Sequence, residues 1–176
     1  MSAVSGVCAK GHYCPEGSDS EYSEPCPAGT YNNVFGGKNA TFCLTCPTSS
    51  YCPQASIVPI DCPDGSYCPE GSVDYTFCPA GTFGNVTRLG SLTDCHTCPP
   101  GQFCDGRGLT APTGPCSPGY FCKTGSTSSE PFVDAEGGLC PSGHYCDQGA
   151  AEPLACPQVC QIYVILINRY FHCISK

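Results

Sequence analysis

The chain has 176 residues, and a third of them are Cys (19), Gly (21) or Pro (18), types that build bridges and turns rather than a core. Leu, Ile, Val and Phe number only 30, below the roughly 20 per cent share at which apolar burial offsets chain entropy, so an ordinary globular enzyme is not expected. Fifteen acidic residues against seven basic ones give a net charge of −8 with no Lys/Arg cluster, which argues against nucleic acid or heparin as partners.

Residues 1–7 are a short lead-in, and from Cys8 onward one phrase, C-x-x-G-x-[YF], recurs along the chain. It runs from Cys8 to Tyr13, Cys26 to Tyr31, Cys62 to Tyr67, Cys78 to Phe83, Cys98 to Phe103, Cys116 to Phe121 and Cys140 to Tyr145. Cys46 to Tyr51 is a variant with Ser49 in place of the glycine. In six short repeats a second Cys follows the aromatic at once, closing C-x5-C at Cys14, Cys52, Cys68, Cys104, Cys122 and Cys146. The two long repeats run on through a loop from Cys26 to Cys43 and from Cys78 to Cys95, and C-x-x-C then leads into the next short repeat. The pair Cys8/Cys14 recurs at intervals of 54 as Cys62/Cys68 and Cys116/Cys122. That spacing divides the chain into super-repeats 8–61 and 62–115, a partial third over 116–158 that lacks the long repeat, and a tail over 159–176.

Dropping the long repeat removes two Cys together, which pairs Cys26 with Cys43 and Cys78 with Cys95; each loop closure stabilises by about 3 kcal/mol in the chain-entropy model. For Cys8, Cys14, Cys46, Cys52, Cys62, Cys68, Cys98, Cys104, Cys116, Cys122, Cys140, Cys146, Cys156 and Cys160 the sequence leaves the partners open. Local C-x5-C bridges and crossed bridges between neighbouring repeats are both compatible with the spacing. The odd total leaves one Cys without an intrachain partner, and Cys173 in the tail is the candidate. Gly supplies a φ > 0 turn, Pro presets the bend before it, and the ring covers the bridge. Such repeats are too small to exclude water alone and must stack. The expected fold is therefore small and disulfide-rich: elongated tandem repeats of short β-hairpins with little helix and a minimal hydrophobic core.

Cys-Pro-Ala-Gly-Thr-Tyr, followed by a long loop and Cys-x-x-Cys-Pro, resembles the ephrin-receptor-like cysteine-rich repeat, which belongs with the growth-factor-receptor and TNF-receptor cysteine-rich folds. The resemblance covers Cys8 to Cys156. It implies a tandem array of the kind that serves as stalk, spacer or interaction surface in large extracellular proteins. It carries over neither ephrin recognition nor kinase activity. The pattern fails after Gln158, where Val159 and Gln161 stand in place of glycine and aromatic. Residues 159–176 hold four of the six Ile and no Gly or Pro, and they are read as an atypical, non-native tail, with a genuine terminal element as the alternative.

Oxidised thiols in such number belong to the secretory pathway or the cell exterior. The first residues carry no apolar leader and no run is long enough to cross a bilayer, so the chain is read as a fragment that lacks its signal peptide and does not itself insert in a membrane. Asn39-Ala-Thr41 and Asn85-Val-Thr87 fit the N-glycosylation sequon, each within a long-repeat loop.

Chemistry-bearing constellations are not assembled by the sequence. Cys43/Cys46 and Cys95/Cys98 have zinc-type C-x2-C spacing, but the second pair lies 52 residues from the first, too far for a structural zinc site. His12 and His144 occupy a repeat slot filled elsewhere by Thr30, Ser50, Ser66, Thr82, Gln102 and Tyr120, which reads as a surface slot. Glu16, Asp64, Glu70 and Asp105 are scattered over turns without the order of a calcium loop. No catalytic residue, metal or cofactor is assigned. The expectation is a non-enzymatic extracellular spacer and protein-interaction module, with an unidentified extracellular protein as partner. A ligand-binding segment of a receptor ectodomain is the alternative, and a protease inhibitor a third.

Overall fold

The computed structural model describes residues 7–132, 135–156, 161–162 and 173–174. Tail residues 163–172 and the side chains of Cys160 and Cys173 lie outside the described residues. Two compact units divide the chain: Met1–Phe77 with Val86–Cys95, and Cys78–Asn85 with His96–Lys176. The division passes through the second long repeat.

The local structure of each repeat follows from the phrase itself, with its first Cys numbered position 1. Positions 2 to 5 make a β-turn: Thr30 N–H donates to the Pro27 carbonyl (3.1 Å), and Thr82 N–H donates likewise to Pro79 (3.1 Å). Position 4 is left-handed in every repeat, from Gly65 at φ 71° to Gly29 and Gly119 at 84°, as the third residue of a type II turn must be. Ser49 adopts the same conformation at φ 72° without being glycine. At Thr30, Ser66 and Thr82 the position-5 hydroxyl reinforces the turn, donating to the carbonyls of Pro27 (2.7 Å), Pro63 (2.8 Å) and Pro79 (2.7 Å).

Positions 5 and 6 are then extended and pair antiparallel with the residues just before the Cys that opens the next repeat. His12–Tyr13 pairs with Glu24–Pro25, Thr30–Tyr31 with Leu44–Thr45, Ser50–Tyr51 with Ile60–Asp61, and Ser66–Tyr67 with Thr76–Phe77. In the second unit Thr82–Phe83 pairs with His96–Thr97, Gln102–Phe103 with Gly114–Pro115, Tyr120–Cys122 with Gly137–Leu139, and His144–Tyr145 with Leu154–Ala155. A last two-residue pair joins Gln161–Ile162 to Cys173–Ile174. The helical elements among the described residues are two single 3₁₀ turns, Ala40–Phe42 and Leu92–Asp94, near the ends of the two long loops.

Consecutive repeats within each unit are joined by a recurring set of three backbone hydrogen bonds. In the first unit Gly29 N–H donates to Cys52 O (2.7 Å), Ala55 N–H returns to Cys26 O (2.9 Å), and Asn32 N–H donates to Ser56 O (3.0 Å). In the second unit the same three are Gly101 to Cys122 O (2.8 Å), Gly125 to Cys98 O (2.8 Å) and Cys104 to Ser126 O (2.9 Å). Each contributes about 0.5–1.5 kcal/mol net, so a junction is a cooperative patch rather than a single contact. Stacking also reaches one repeat further. A Cβ on Gly29 would lie 2.6 Å from Gly71 O, and one on Gly81 would lie 2.7 Å from Gly125 O.

The interior of each unit is mostly sulfur. Cys26, Cys46, Cys52, Cys62, Cys68, Cys78, Cys98, Cys104, Cys116 and Cys122 are all fully buried, while Leu89 and Ala9 are among the few other apolar side chains buried with them. The eight repeat aromatics are only half-buried. This is the expected small disulfide-rich fold of tandem hairpins, and its stability rests on cross-links and repeated backbone pairing instead of an oil-like core.

Candidate functional site

The short repeats close locally. Cys8–Cys14, Cys46–Cys52, Cys62–Cys68, Cys98–Cys104, Cys116–Cys122 and Cys140–Cys146 are disulfides, and the crossed arrangement does not occur among them. Cys26 is bridged to Cys43, and Cys78, Cys95 and Cys156 are each disulfide-bonded. In the chain-entropy model a six-residue separation gives about 2 kcal/mol and the longer Cys26–Cys43 loop about 3. The sulfurs of the C-x2-C pairs Cys43/Cys46 and Cys95/Cys98 are thus engaged in bridges. Among the described residues no three His, Cys, Asp or Glu side chains converge as a metal site.

A long repeat lacks the half-cystine at position 7, and the first one replaces it with Asn32, which is 1 % exposed. Its Nδ2 donates to His12 O (2.8 Å) and its Oδ1 accepts from Val34 N–H (3.1 Å). A buried amide with both ends matched thus stands where a sulfur would bridge. The second long repeat has Gly84 at that place, and its N–H donates to Leu109 O (2.8 Å).

Both sequon asparagines are exposed. Asn39 caps the first 3₁₀ turn, its Oδ1 accepting from Thr41 N–H (3.0 Å). The histidines do not assemble with a nucleophile. His12 stacks edge-on against Tyr22 at 5.3 Å and His96 lies 5.5 Å from Phe83, while His172 lies outside the described residues. The repeat slot that holds His12 and His144 is not uniformly a surface slot, because Ser50 and Ser66 are buried there. A small hydroxyl can turn inward onto the turn, whereas an imidazole is held half out.

Two carboxylates are perturbed, and both are structural. Asp94 accepts from the N–H groups of Gly90 and Ser91 (both 2.9 Å), and these bonds, led by the one from Gly90, hold its carboxyl below the usual range. Glu136 accepts from the Thr127 hydroxyl (2.7 Å) and N–H (3.0 Å), which lowers its pKa in the same way. A recess in the first unit is lined by the Cys8–Cys14 bridge, Gly17, Gly36, Gly37 and Lys38. Its one hydroxyl, Ser18 Oγ, donates to the Pro15 carbonyl (2.7 Å), and no His, Asp or Glu stands among the lining residues to act as a base.

What the first unit does present is apolar surface. Tyr75 packs edge-on against both Tyr51 (5.6 Å) and Phe77 (5.3 Å), and Ile60 sits directly across the hairpin from Tyr51. Phe77 is 45 %, Ile60 43 % and Tyr75 37 % exposed, with Ile57, Val58 and Val73 exposed on the same stretch of chain. Among the described residues, thirteen of the sixteen large exposed apolar side chains belong to this unit. Sequence reasoning fixed on the ring inside each repeat and missed the residues just before the next Cys. The signal was there: Leu44, Ile60 and Leu154 stand two residues before a Cys, and Phe77 and Leu139 one residue before.

Neither a protein-family model nor a curated protein matches the chain.

Proposed function

We propose that the chain is a non-enzymatic structural and protein-interaction module of a secreted or cell-surface protein, built from repeats of the ephrin-receptor-like kind. The observation that carries this reading is the state of the sulfurs: all seventeen cysteines from Cys8 to Cys156 are in disulfides. Such a framework persists in an oxidising compartment and is rare in a reducing one. The work of the module is geometric. Bridges restrict the unfolded chain, repeat number sets reach, and the exposed loops at 32–42 and 84–94 carry glycans on Asn39 and Asn85.

The test is the intact mass and free-thiol count of the full chain secreted from a eukaryotic host, before and after enzymatic removal of N-glycans. One free thiol and a loss of glycan mass support the reading. A chain with most thiols free, or with co-purifying metal, overturns it. A second reading, the ligand-binding segment of a receptor ectodomain, is favoured by the exposed Tyr51, Tyr75 and Phe77 rings.

A further inference from the structure

The first unit combines two features that seldom coexist on an inert spacer: contiguous exposed apolar surface and a strong excess of negative charge. Residues 1–77 and 86–95 carry nine carboxylates against three basic side chains, a net of −6, whereas the second unit carries −2. The apolar run is continuous from Ile60 through its cross-strand partner Tyr51 to Tyr75 and Phe77. Acidic groups lie along the same two hairpins. Asp61 follows Ile60, Asp64 sits in the next turn, and Asp74 precedes Tyr75, with its Oδ1 accepting from the Tyr75 N–H (2.8 Å). Among the described residues only Asp61 of these has a cationic neighbour, Arg88 at 3.7 Å, and both of those side chains are 62 % exposed.

We propose that this face, formed by Tyr51, Ile60, Tyr75 and Phe77 and flanked along the chain by Asp61 and Asp74, docks a segment of another protein that alternates cationic and apolar side chains, with Arg as the preferred cation. The inference rests on the interaction-module reading and names the partner's chemistry. Charge decides among the occupants. A second copy of the chain would set −6 against −6, and an anionic lipid surface would be repelled in the same way. A purely apolar partner would leave Asp74, which has no cation beside it among the described residues, desolvated without a counter-charge. A guanidinium satisfies both features, because it stacks on aromatic faces and pairs with carboxylates through the same planar group. Tyr and Phe rings gathered at one spot are also the kind of surface on which binding energy concentrates.

The experiment titrates the oxidised full chain, labelled with ¹⁵N, with four synthetic peptides of equal length: alternating Arg/Leu, Lys/Leu, Arg/Ser and Glu/Leu. The Arg/Leu peptide is expected to bind tightest, to shift the amides of residues 50–51, 60–61 and 73–77, and to weaken as salt is raised. The variant Tyr75→Ser/Phe77→Ser should weaken it by about tenfold or more, and Asp61→Asn/Asp74→Asn should flatten the salt dependence. An unchanged spectrum over the rest of each variant certifies its fold. Equal binding of the Arg/Ser or Glu/Leu peptide, shifts that map elsewhere, unaltered binding by the Ser variant, or self-association through the patch in sedimentation each overturns the proposal. If the bridges form and no peptide binds, docking fails while the scaffold reading stands; if the thiol count fails, the titration still reads the patch.

Discussion

Stacking two repeats apart can be weighed by a pair of glycine substitutions that are matched in everything but their neighbours. Gly81 and Gly143 occupy the same repeat position in the second unit, at φ 82° and 80°. Ala at either costs about 1–2 kcal/mol for the left-handed backbone, and the gain from restricting the unfolded chain is the same for both. The difference lies in what the new methyl meets. At Gly143 no atom of the described residues beyond its chain neighbours lies within 4 Å, whereas at Gly81 the methyl would lie 2.7 Å from Gly125 O. Backbone must retreat by roughly half an ångström, away from the bond that Gly125 N–H makes to Cys98 O at 2.8 Å and, beside it, the Cys104 to Ser126 bond at 2.9 Å. Weakening those two bonds at about 0.5–1.5 kcal/mol each puts Gly81→Ala about 2 kcal/mol beyond Gly143→Ala, a factor of roughly 30 in the unfolding constant. Denaturant unfolding with the bridges intact measures the total. Native-state hydrogen exchange at the Gly125 and Cys104 amides locates it, and both amides should lose protection in Gly81→Ala alone. Equal costs within about 0.5 kcal/mol, or unchanged protection at Gly125, would refute the stacking account.

Three further outcomes follow from the same geometry. Ser49→Gly and Arg88→Gly should each raise stability by up to about 1 kcal/mol in thermal unfolding, since both residues hold positive φ (72° and 67°) against the steric preference of a side chain; the exposed Arg88–Asp61 pair lost in the second contributes little. Asn32→Ala should cost about 2–3 kcal/mol in denaturant unfolding by stranding the His12 carbonyl and the Val34 N–H, and Asn32→Asp should not rescue it, because a carboxylate cannot donate to a carbonyl. Asp94 and Glu136, whose folded pKa values lie below the ordinary 3.8 and 4.5, contribute stability that is fully present above those values and is lost as pH falls through the lowered ones. Carboxyl NMR titration should find each protonating below its own ordinary value, and Glu136→Gln should reduce the acid dependence of stability.

How far the fold could be read from the chain depends on which interactions are local. The turn, its φ > 0 glycine and the following pair of extended residues are set within six positions, and the phrase therefore predicts a hairpin at every recurrence. Asn32 could not be read the same way. Its meaning comes from alignment of position 7 across repeats, where a buried amide replaces a buried sulfur, and its partner His12 lies twenty residues away. The choice between local and crossed bridges also escaped, because both satisfy the spacing and only the path of the backbone between repeats separates them. Ser50 and Ser66 turned inward for a related reason: a slot that tolerates His, Gln and Tyr at the surface also admits a small hydroxyl that folds back onto its own turn.

The aromatic face illustrates a deeper limit on such reading. Each repeat ring was assigned to cover its bridge, yet all eight are left half-exposed, because hairpins of two paired residues have no second layer to cover them. Apolar side chains in so thin a fold are divided between a mostly sulfur interior and the surface, and whatever the interior does not need is left outside. Among the described residues of the second unit Phe132, Leu139 and Leu154 are left outside. In the first, Ile60, Tyr75 and Phe77 are left over together on adjacent hairpins, and their clustering, in a unit of net charge −6, is what sets them apart from the ordinary scatter of exposed apolar groups.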